Sequence, residues 1–227
     1  MRRLIASILA LPVMAAMALP LPAWAGAQVY EPLSASVQAG LQTAVSDQAV
    51  PFLAFETERE ARAWLGAMSG KLVKRIPDRV QREEFLVTVH YEAKRAGLDP
   101  QLVLSLIQAE SNFRKYAFSR AGARGFMQVM PFWARLIGKP DHNLFHLRTN
   151  LRYGCVILKH YLNLENGDLF RALGRYNGSL GKAEYPTTVV RILHKDWHYS
   201  LHAGDAPPAM RPASARAITA ASASPQN

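Results

Sequence analysis

One stretch decides the fold of this chain: DPQLVLSLIQAES, residues 99–111. Asp99 can accept hydrogen bonds from the first free amides of a helix, and Pro100 suits the first helical position. The residues that follow are apolar almost all round the helix cylinder, which is typical of a helix enclosed by others. The stretch therefore predicts a central helix from Gln101 to Ser111.

Helix signals recur on both sides of this stretch. Thr57-Glu58-Arg59-Glu60 forms a capping box and predicts a helix to about Met68. Asp78 can cap a helix from Arg79 to Ala96. Four more helices are predicted at 131–137, 149–162, 168–176 and 186–199. Because we find no convincing strand pair and no internal repeat, we predict one all-α domain.

Composition narrows the kinds of partner. The chain has 227 residues, with 27 Lys and Arg against 17 Asp and Glu, a net charge of +10. A basic surface favours an anionic partner, which can be nucleic acid, a membrane surface or an acidic polymer. Cys155 is the one cysteine, which excludes an intramolecular disulfide scaffold and a Cys-rich metal site. We expect it to be a small buried core residue.

The N-terminus predicts export. Arg2 and Arg3 precede an uncharged apolar run, residues 4–22, and Ala-Trp-Ala at 23–25 fits a signal-peptidase site. A retained membrane anchor is the alternative, but three prolines in this region favour a signal peptide cleaved after Ala25. An exported product makes nucleic acid a less suitable partner.

Differences in composition and hydrophobic pattern divide the chain into four predicted segments. We predict a signal peptide at 1–25, a lead-in with one or two accessory helices at 26–77, and the main helical domain at 78–202. The tail at 203–227 is rich in Ala, Pro and Ser and is predicted to be disordered. Within the lead-in, residues 26 to about 51 are weakly patterned, so we expect them to be poorly ordered or peripheral.

Glu110 is the acidic residue of the central helix. It shares a narrow helix face with Val103, Leu106 and Ile107, so its carboxyl group points at apolar surface. Burial and the negative end of the helix both raise the pKa of a carboxyl group. We therefore predict an acid that is protonated near neutral pH, as a general acid must be. The alternative is an exposed carboxylate, or one paired with Arg114.

Four ordered blocks resemble the soluble lytic transglycosylase family, also called the SLT domain. They are AES at 109–111, SRAGARGFMQVMP at 119–131, the Asn150-to-Leu162 segment, and RYNG at 175–178. The resemblance covers about 99 to 199. It implies a lysozyme-like, all-α catalytic domain that cleaves peptidoglycan.

The resemblance also implies residue roles. Glu110 matches the single catalytic acid and base. The residues implied to bind substrate are Ser119, Met127, Gln128, Tyr176, Asn177 and Tyr185. Among them, we expect the Tyr176 hydroxyl to orient the carboxyl group of Glu110. Two departures from the family pattern bear on the site: Arg175 adds a long charged side chain near the cleft, and Pro186 can shift Tyr185.

The implied reaction breaks the β-1,4 bond between N-acetylmuramic acid and N-acetylglucosamine and leaves 1,6-anhydromuramic ends. It needs no cofactor and no metal. We expect a periplasmic monomer acting on peptidoglycan glycan strands, with no nucleic acid and no stable membrane insertion after signal cleavage. Two alternatives stay open: a hydrolytic muramidase resembling goose-type lysozymes, which needs a second acid, and a non-enzymatic wall-binding factor.

Three histidines have helical spacing near the C-terminus. His194, His198 and His202 repeat at i, i+4 and i+8 and would share one helix face. Two such imidazoles can begin a zinc site. No glutamate-rich catalytic context accompanies them, so we favour a solvated face over a metal site.

Overall fold

The computed structural model describes residues 28–46 and 49–200. Eight α-helices form in this part of the chain: α1 Ala35–Ser46, α2 Glu58–Leu72, α3 Arg79–Arg95, α4 Pro100–Ser111, α5 Pro131–Ile137, α6 Leu147–Leu164, α7 Leu169–Asn177 and α8 Glu184–Ile192. A π-helical turn, Leu193–Trp197, follows α8. Over the described ranges there are isolated β-bridges but no strand, which confirms the predicted all-α class. The predicted signal peptide and the whole of the predicted tail lie outside these ranges.

Helix α4 is central, as predicted. It packs against α3, α8 and the π-helical turn. Asp99 accepts a hydrogen bond from the Gln101 amide at 2.8 Å, and Pro100 occupies the first helical position. The helix is buried along most of its length; its buried apolar side chains are Leu102, Val103, Leu104, Leu106 and Ile107. The burial of α4 thereby places Glu110, in its last turn, inside the domain.

Other helices begin where the side-chain caps predict. The Thr57 hydroxyl accepts from the Glu60 amide at 3.2 Å, and the Asp78 carboxylate accepts from the Gln81 amide at 2.7 Å. Helix α2 runs to Leu72, beyond its predicted end at Met68, because Leu72 is fully buried and continues the same apolar face.

Of the two alternatives predicted for residues 26 to 51, poorly ordered or peripheral, the structure agrees with the second. Helix α1 is mostly exposed and packs against α5 and α6 through one side, with Val45 buried. The last turn of α1 is held by arginines from other helices: Arg95 donates to the Ala44 carbonyl at 2.7 Å and Arg152 to the Val45 carbonyl at 3.4 Å. These contacts satisfy carbonyl groups that a helix end leaves unpaired. The local sequence of α1 carries no sign of them.

Glu92 organises these arginines. Its side chain is fully buried on α3 and accepts from Arg95 at 3.1 Å, Arg148 at 3.2 Å and Arg152 at 3.0 Å. The same three arginines also donate to backbone carbonyls of Ala44, Val45 and Ala49. One buried carboxylate thus connects α3, α6 and the end of α1.

The last predicted helix is also corrected. In place of one helix over 186–199, α8 ends at Ile192, the π-helical turn follows, and His198 has extended backbone. The turn is tied to α4, since the Trp197 indole donates to Gln108 at 2.8 Å. His194 and His198 therefore do not share one regular helix face, and His202 lies outside the described ranges. In the described part of the chain, no three His, Cys, Asp or Glu side chains gather as a metal site would require.

Cys155 is fully buried, as predicted, and burial raises the pKa of its thiol. None of the helices between residues 28 and 200 combines the length and the apolar character that crossing a bilayer requires.

His90 is a buried histidine of α3. Its ring stacks on Phe55 at 4.6 Å and meets Trp64 at 4.9 Å, measured between centroids. Within the described residues neither ring nitrogen has a hydrogen-bond partner. Burial, assisted by the charge of Lys94, lowers the pKa of His90 to about 4.

This histidine makes stability depend on pH. The unfolded chain binds the proton at a pKa near 6.5, so the free energy of unfolding should decrease as pH falls from about 6.5 to about 4, by up to about 3 kcal/mol. Urea denaturation across this range should show the decrease in the wild type, and His90→Phe should remove most of it. An equal decrease in both proteins would assign the effect to other groups.

Candidate active site

Glu110 lies in the last turn of α4 and is 4% exposed. This burial excludes the alternative of an exposed helix-end carboxylate. The second alternative was an ion pair with Arg114. The Nε of Arg114 instead donates to the Ser111 carbonyl at 3.0 Å. The carboxyl group is therefore enclosed by the domain, as the shared face with Val103, Leu106 and Ile107 predicts.

Tyr185 contacts the carboxyl group directly. It is buried on α8, and its hydroxyl donates a hydrogen bond to Glu110 Oε1. Burial, together with the charge of nearby Glu110, raises the pKa of Tyr185 well above its usual value, so the phenol keeps its proton. Pro186 leaves this contact intact because it stands in the first turn of α8, where no amide partner is needed.

Tyr176 has a different role from the predicted one. Its hydroxyl donates to the Met127 carbonyl at 2.7 Å rather than to Glu110. The side chain is fully buried on α7, and burial, followed by the charge of Glu110, raises its pKa well above the usual value. Tyr185 therefore orients the acid, and Tyr176 fixes the backbone beside it.

The loop between α4 and α5 is fixed by Asn150 of α6. The Asn150 side chain accepts from the Met127 amide and donates to the Arg124 carbonyl, both at 2.8 Å. Gly125 has φ +76°, and a Cβ there would lie 2.4 Å from Asn150 Nδ2 and 2.6 Å from the Leu144 carbonyl. Only glycine allows this approach. Asn150 belongs to a matched block, but nothing in the sequence shows that its amide holds this loop.

The buried side chain of Gln128 also holds this loop by hydrogen bonds. Its backbone has φ +49°, and its amide donates to the carbonyls of Ala117 at 3.1 Å and Gly125 at 2.8 Å. The side chain is 2% exposed. Both amide hydrogens are therefore used within the protein.

Three other residues expected to contact sugar are also enclosed. Met127 has no exposed surface and packs against Gly154, where a Cβ would lie 2.3 Å from its sulfur. Its side chain therefore packs in the core rather than facing a cleft. The Ser119 hydroxyl accepts from the Ala123 amide at 3.0 Å, and Asn177, the last residue of α7, is 8% exposed. Ser119, Met127 and Asn177 are thus all buried in this structure.

Arg175 is held by two carboxylates. Its guanidinium pairs with Glu165 and with Glu31, the latter at 2.7 Å. Glu31 belongs to the segment before α1. Arg175 therefore connects α7 to the lead-in.

The structure thus defines a class: an all-α domain whose central helix carries a buried glutamate, Glu110, near its C-terminal end, with a tyrosine, Tyr185, bound to the carboxyl group. Residues 88–188 match the family model for the transglycosylase SLT domain. This confirms the resemblance noted in the sequence.

The alignment with known proteins covers more residues than the match to the family model. The chain is 30% identical over 150 residues to membrane-bound lytic murein transglycosylase C of Yersinia pestis (strain Pestoides F), covering 58% of this chain and 40% of that protein. The counterpart in Yersinia pseudotuberculosis (serotype O:1b) has the same figures. The chain thus spans less than half the length of these relatives. A solved structure of the lytic transglycosylase Slt from Pseudomonas aeruginosa aligns with a TM-score of 0.39 and 21% identity, covering 60% of this chain and 26% of that one.

The Tyr185 hydroxyl provides a first test of the site. Tyr185→Phe removes the donor to Glu110 while keeping the ring, so we expect the peptidoglycan cleavage that the family resemblance implies to slow by about tenfold to hundredfold. Tyr153→Phe is the matched control, because Tyr153 is a buried tyrosine whose hydroxyl contacts His142 at 2.7 Å. The control should keep the wild-type rate. A wild-type rate in Tyr185→Phe would contradict the assigned role.

Proposed function

We propose that this protein is a peptidoglycan lytic transglycosylase and that Glu110 is its single catalytic acid and base. The bond cleaved is the β-1,4 link between N-acetylmuramic acid and N-acetylglucosamine, and the product carries a 1,6-anhydromuramic end. One observation supports this above all: the buried Glu110 carboxyl group accepts the hydrogen bond of Tyr185 within the residues that match the SLT domain model. The relatives named as murein transglycosylases support the choice of substrate.

In the first step, protonated Glu110 donates its proton to the glycosidic oxygen. The bond from this oxygen to the muramic C1 breaks, and N-acetylglucosamine leaves with a free hydroxyl group. The acetamido oxygen of the muramic sugar stabilises the electron-poor C1 from the opposite face. Substrate assistance of this kind removes the need for a second protein carboxylate.

In the second step, the Glu110 carboxylate takes the proton from the C6 hydroxyl of the same muramic sugar. The C6 oxygen bonds to C1 and closes the 1,6-anhydro ring, and Glu110 is again protonated. The carboxyl group must therefore work in both protonation states. Burial disfavours the carboxylate, and the Tyr185 hydrogen bond stabilises it, so the two effects oppose each other.

The products of digestion test this proposal. Purified peptidoglycan is digested, and the released muropeptides are analysed by mass spectrometry. We expect products lighter by one water than those of hydrolysis. Reducing ends would instead support the muramidase alternative, and the absence of any product would support a wall-binding factor.

A wall substrate also fits the rest of the chain. We propose that the protein acts on glycan strands in the periplasm, since its N-terminal residues have the pattern of a signal peptide. The net charge of +10, which becomes +8 once Arg2 and Arg3 are removed with the signal peptide, suits a polymer that carries carboxylates. The reaction as written uses no cofactor or metal.

A further inference from the structure

Gln28 is a buried residue of the segment that precedes α1, outside the residues 88–188 that match the family model. Its side-chain amide nitrogen donates to the Gln128 carbonyl at 3.4 Å. Its amide oxygen accepts from the Met130 amide at 3.2 Å. One side chain from the lead-in therefore binds the backbone on both sides of Val129, immediately before α5.

The same side chain lies close to the tyrosine beside the acid. The Gln28 amide is near enough to Tyr176 to act on its hydroxyl, which donates to the Met127 carbonyl at 2.7 Å. Tyr176 in turn is close enough to Glu110 for the carboxylate charge to act on it. Gln28 is therefore one residue removed from the acid.

The backbone that Gln28 holds needs support. Gln128 has a left-handed backbone, φ +49°, which is uncommon outside glycine and persists only where the surroundings hold it. The Gln128 side chain donates to the carbonyls of Ala117 and Gly125. The backbone carbonyl of Gln128 itself accepts from Gln28.

The segment around Gln28 is attached at two further points. The ring of Tyr30 meets Phe132 edge-on, with centroids 5.7 Å apart, and Glu31 pairs with Arg175 at 2.7 Å. Phe132 lies at the start of α5 and Arg175 near the end of α7. Residues 28–31 thus run from the loop that carries Gln128 to the helix that carries Tyr176.

We propose that Gln28 is a positioning residue of the active site, acting on Glu110 through Tyr176 and through the Gln128 turn. This inference rests on the proposed function. Gln28 is only 4% exposed, so it acts through these neighbours rather than by binding substrate. The lead-in, which carries none of the family motifs, is then part of the catalytic unit.

The test compares two glutamines of the lead-in. Gln38 on α1 also donates its side-chain amide to a backbone carbonyl, that of Leu136 on α5, at 2.8 Å. Gln28→Ala and Gln38→Ala each delete one such side chain, so both should lower the melting temperature slightly. On soluble, uncross-linked peptidoglycan strands, Gln28→Ala should lower kcat by about tenfold to hundredfold with KM unchanged, because the acid is misplaced. Gln38→Ala should keep the wild-type kcat.

Gln28→Glu is the second variant, because it keeps the shape and the acceptor for Met130 but loses the donor to Gln128. It should also lower kcat, and it decides the question if Gln28→Ala does not fold. Wild-type kcat in a folded Gln28→Ala or in Gln28→Glu, or an equal loss in Gln38→Ala, would overturn the positioning role. Failure of the proposed function is distinct, because the wild-type protein itself would then cleave nothing.

Discussion

Glu110→Gln should abolish peptidoglycan cleavage and leave the domain folded. Glutamine has nearly the same shape as the protonated acid and can still accept the Tyr185 hydrogen bond, but it can neither give nor take the proton. Since the carboxyl group is proposed to act in both steps, we expect the rate of muropeptide release to fall by about a thousandfold or more. The free energy of unfolding in urea should change little.

A matched control exists on α2. Glu60 is another buried glutamate, 5% exposed, and lies on a different helix from Glu110. Glu60→Gln should keep the wild-type rate of release. Cleavage by Glu110→Gln would place the acid elsewhere, and unfolding of this variant would mean that the carboxyl group serves the fold rather than the chemistry.

Glu92→Gln should have the largest effect on stability. The substitution leaves Arg95, Arg148 and Arg152 without their shared buried counter-charge. Breaking a buried ion pair by removing one partner costs about 3–5 kcal/mol. Urea denaturation measures this loss, and hydrogen exchange should show faster exchange in α1, because the same arginines hold its last turn.

The control for Glu92→Gln is the same substitution in an ion pair at the surface. Glu83 and Arg79 form an i,i+4 pair at 2.7 Å with Arg79 largely exposed, and such pairs contribute about 0.3–0.5 kcal/mol. Glu83→Gln should therefore change stability little. If Glu92→Gln were no more destabilising than Glu83→Gln, the network would not hold α1 in place.

The predictable parts of the fold are local. Asp99, Asp78 and Thr57 each begin a helix through their own side chains, and the apolar face of α4 follows from helical spacing alone. Helix α1 could not be predicted in the same way. It depends on Glu92 and the arginines of α3 and α6, which lie far from it in the sequence.

The candidate site likewise has features that the local sequence predicts and features that it does not. The burial of Glu110 follows from its helix face, and the family resemblance points to Tyr176 and Tyr185. Which tyrosine binds the acid depends on how α7 and α8 pack around α4, and spacing along the chain does not contain that information. The contact of Gln28 with Gln128 joins residues 100 positions apart, so no local pattern signals it.

The source of the oxygen at the new chain end tests the central claim most directly. Purified peptidoglycan is digested by the wild-type protein in water labelled with heavy oxygen, with a hydrolytic muramidase as the positive control. If Glu110 directs the C6 hydroxyl of the sugar onto its own C1, the released muropeptides will carry no label. Label at the new reducing ends would show that water is the nucleophile and would contradict the transglycosylase mechanism.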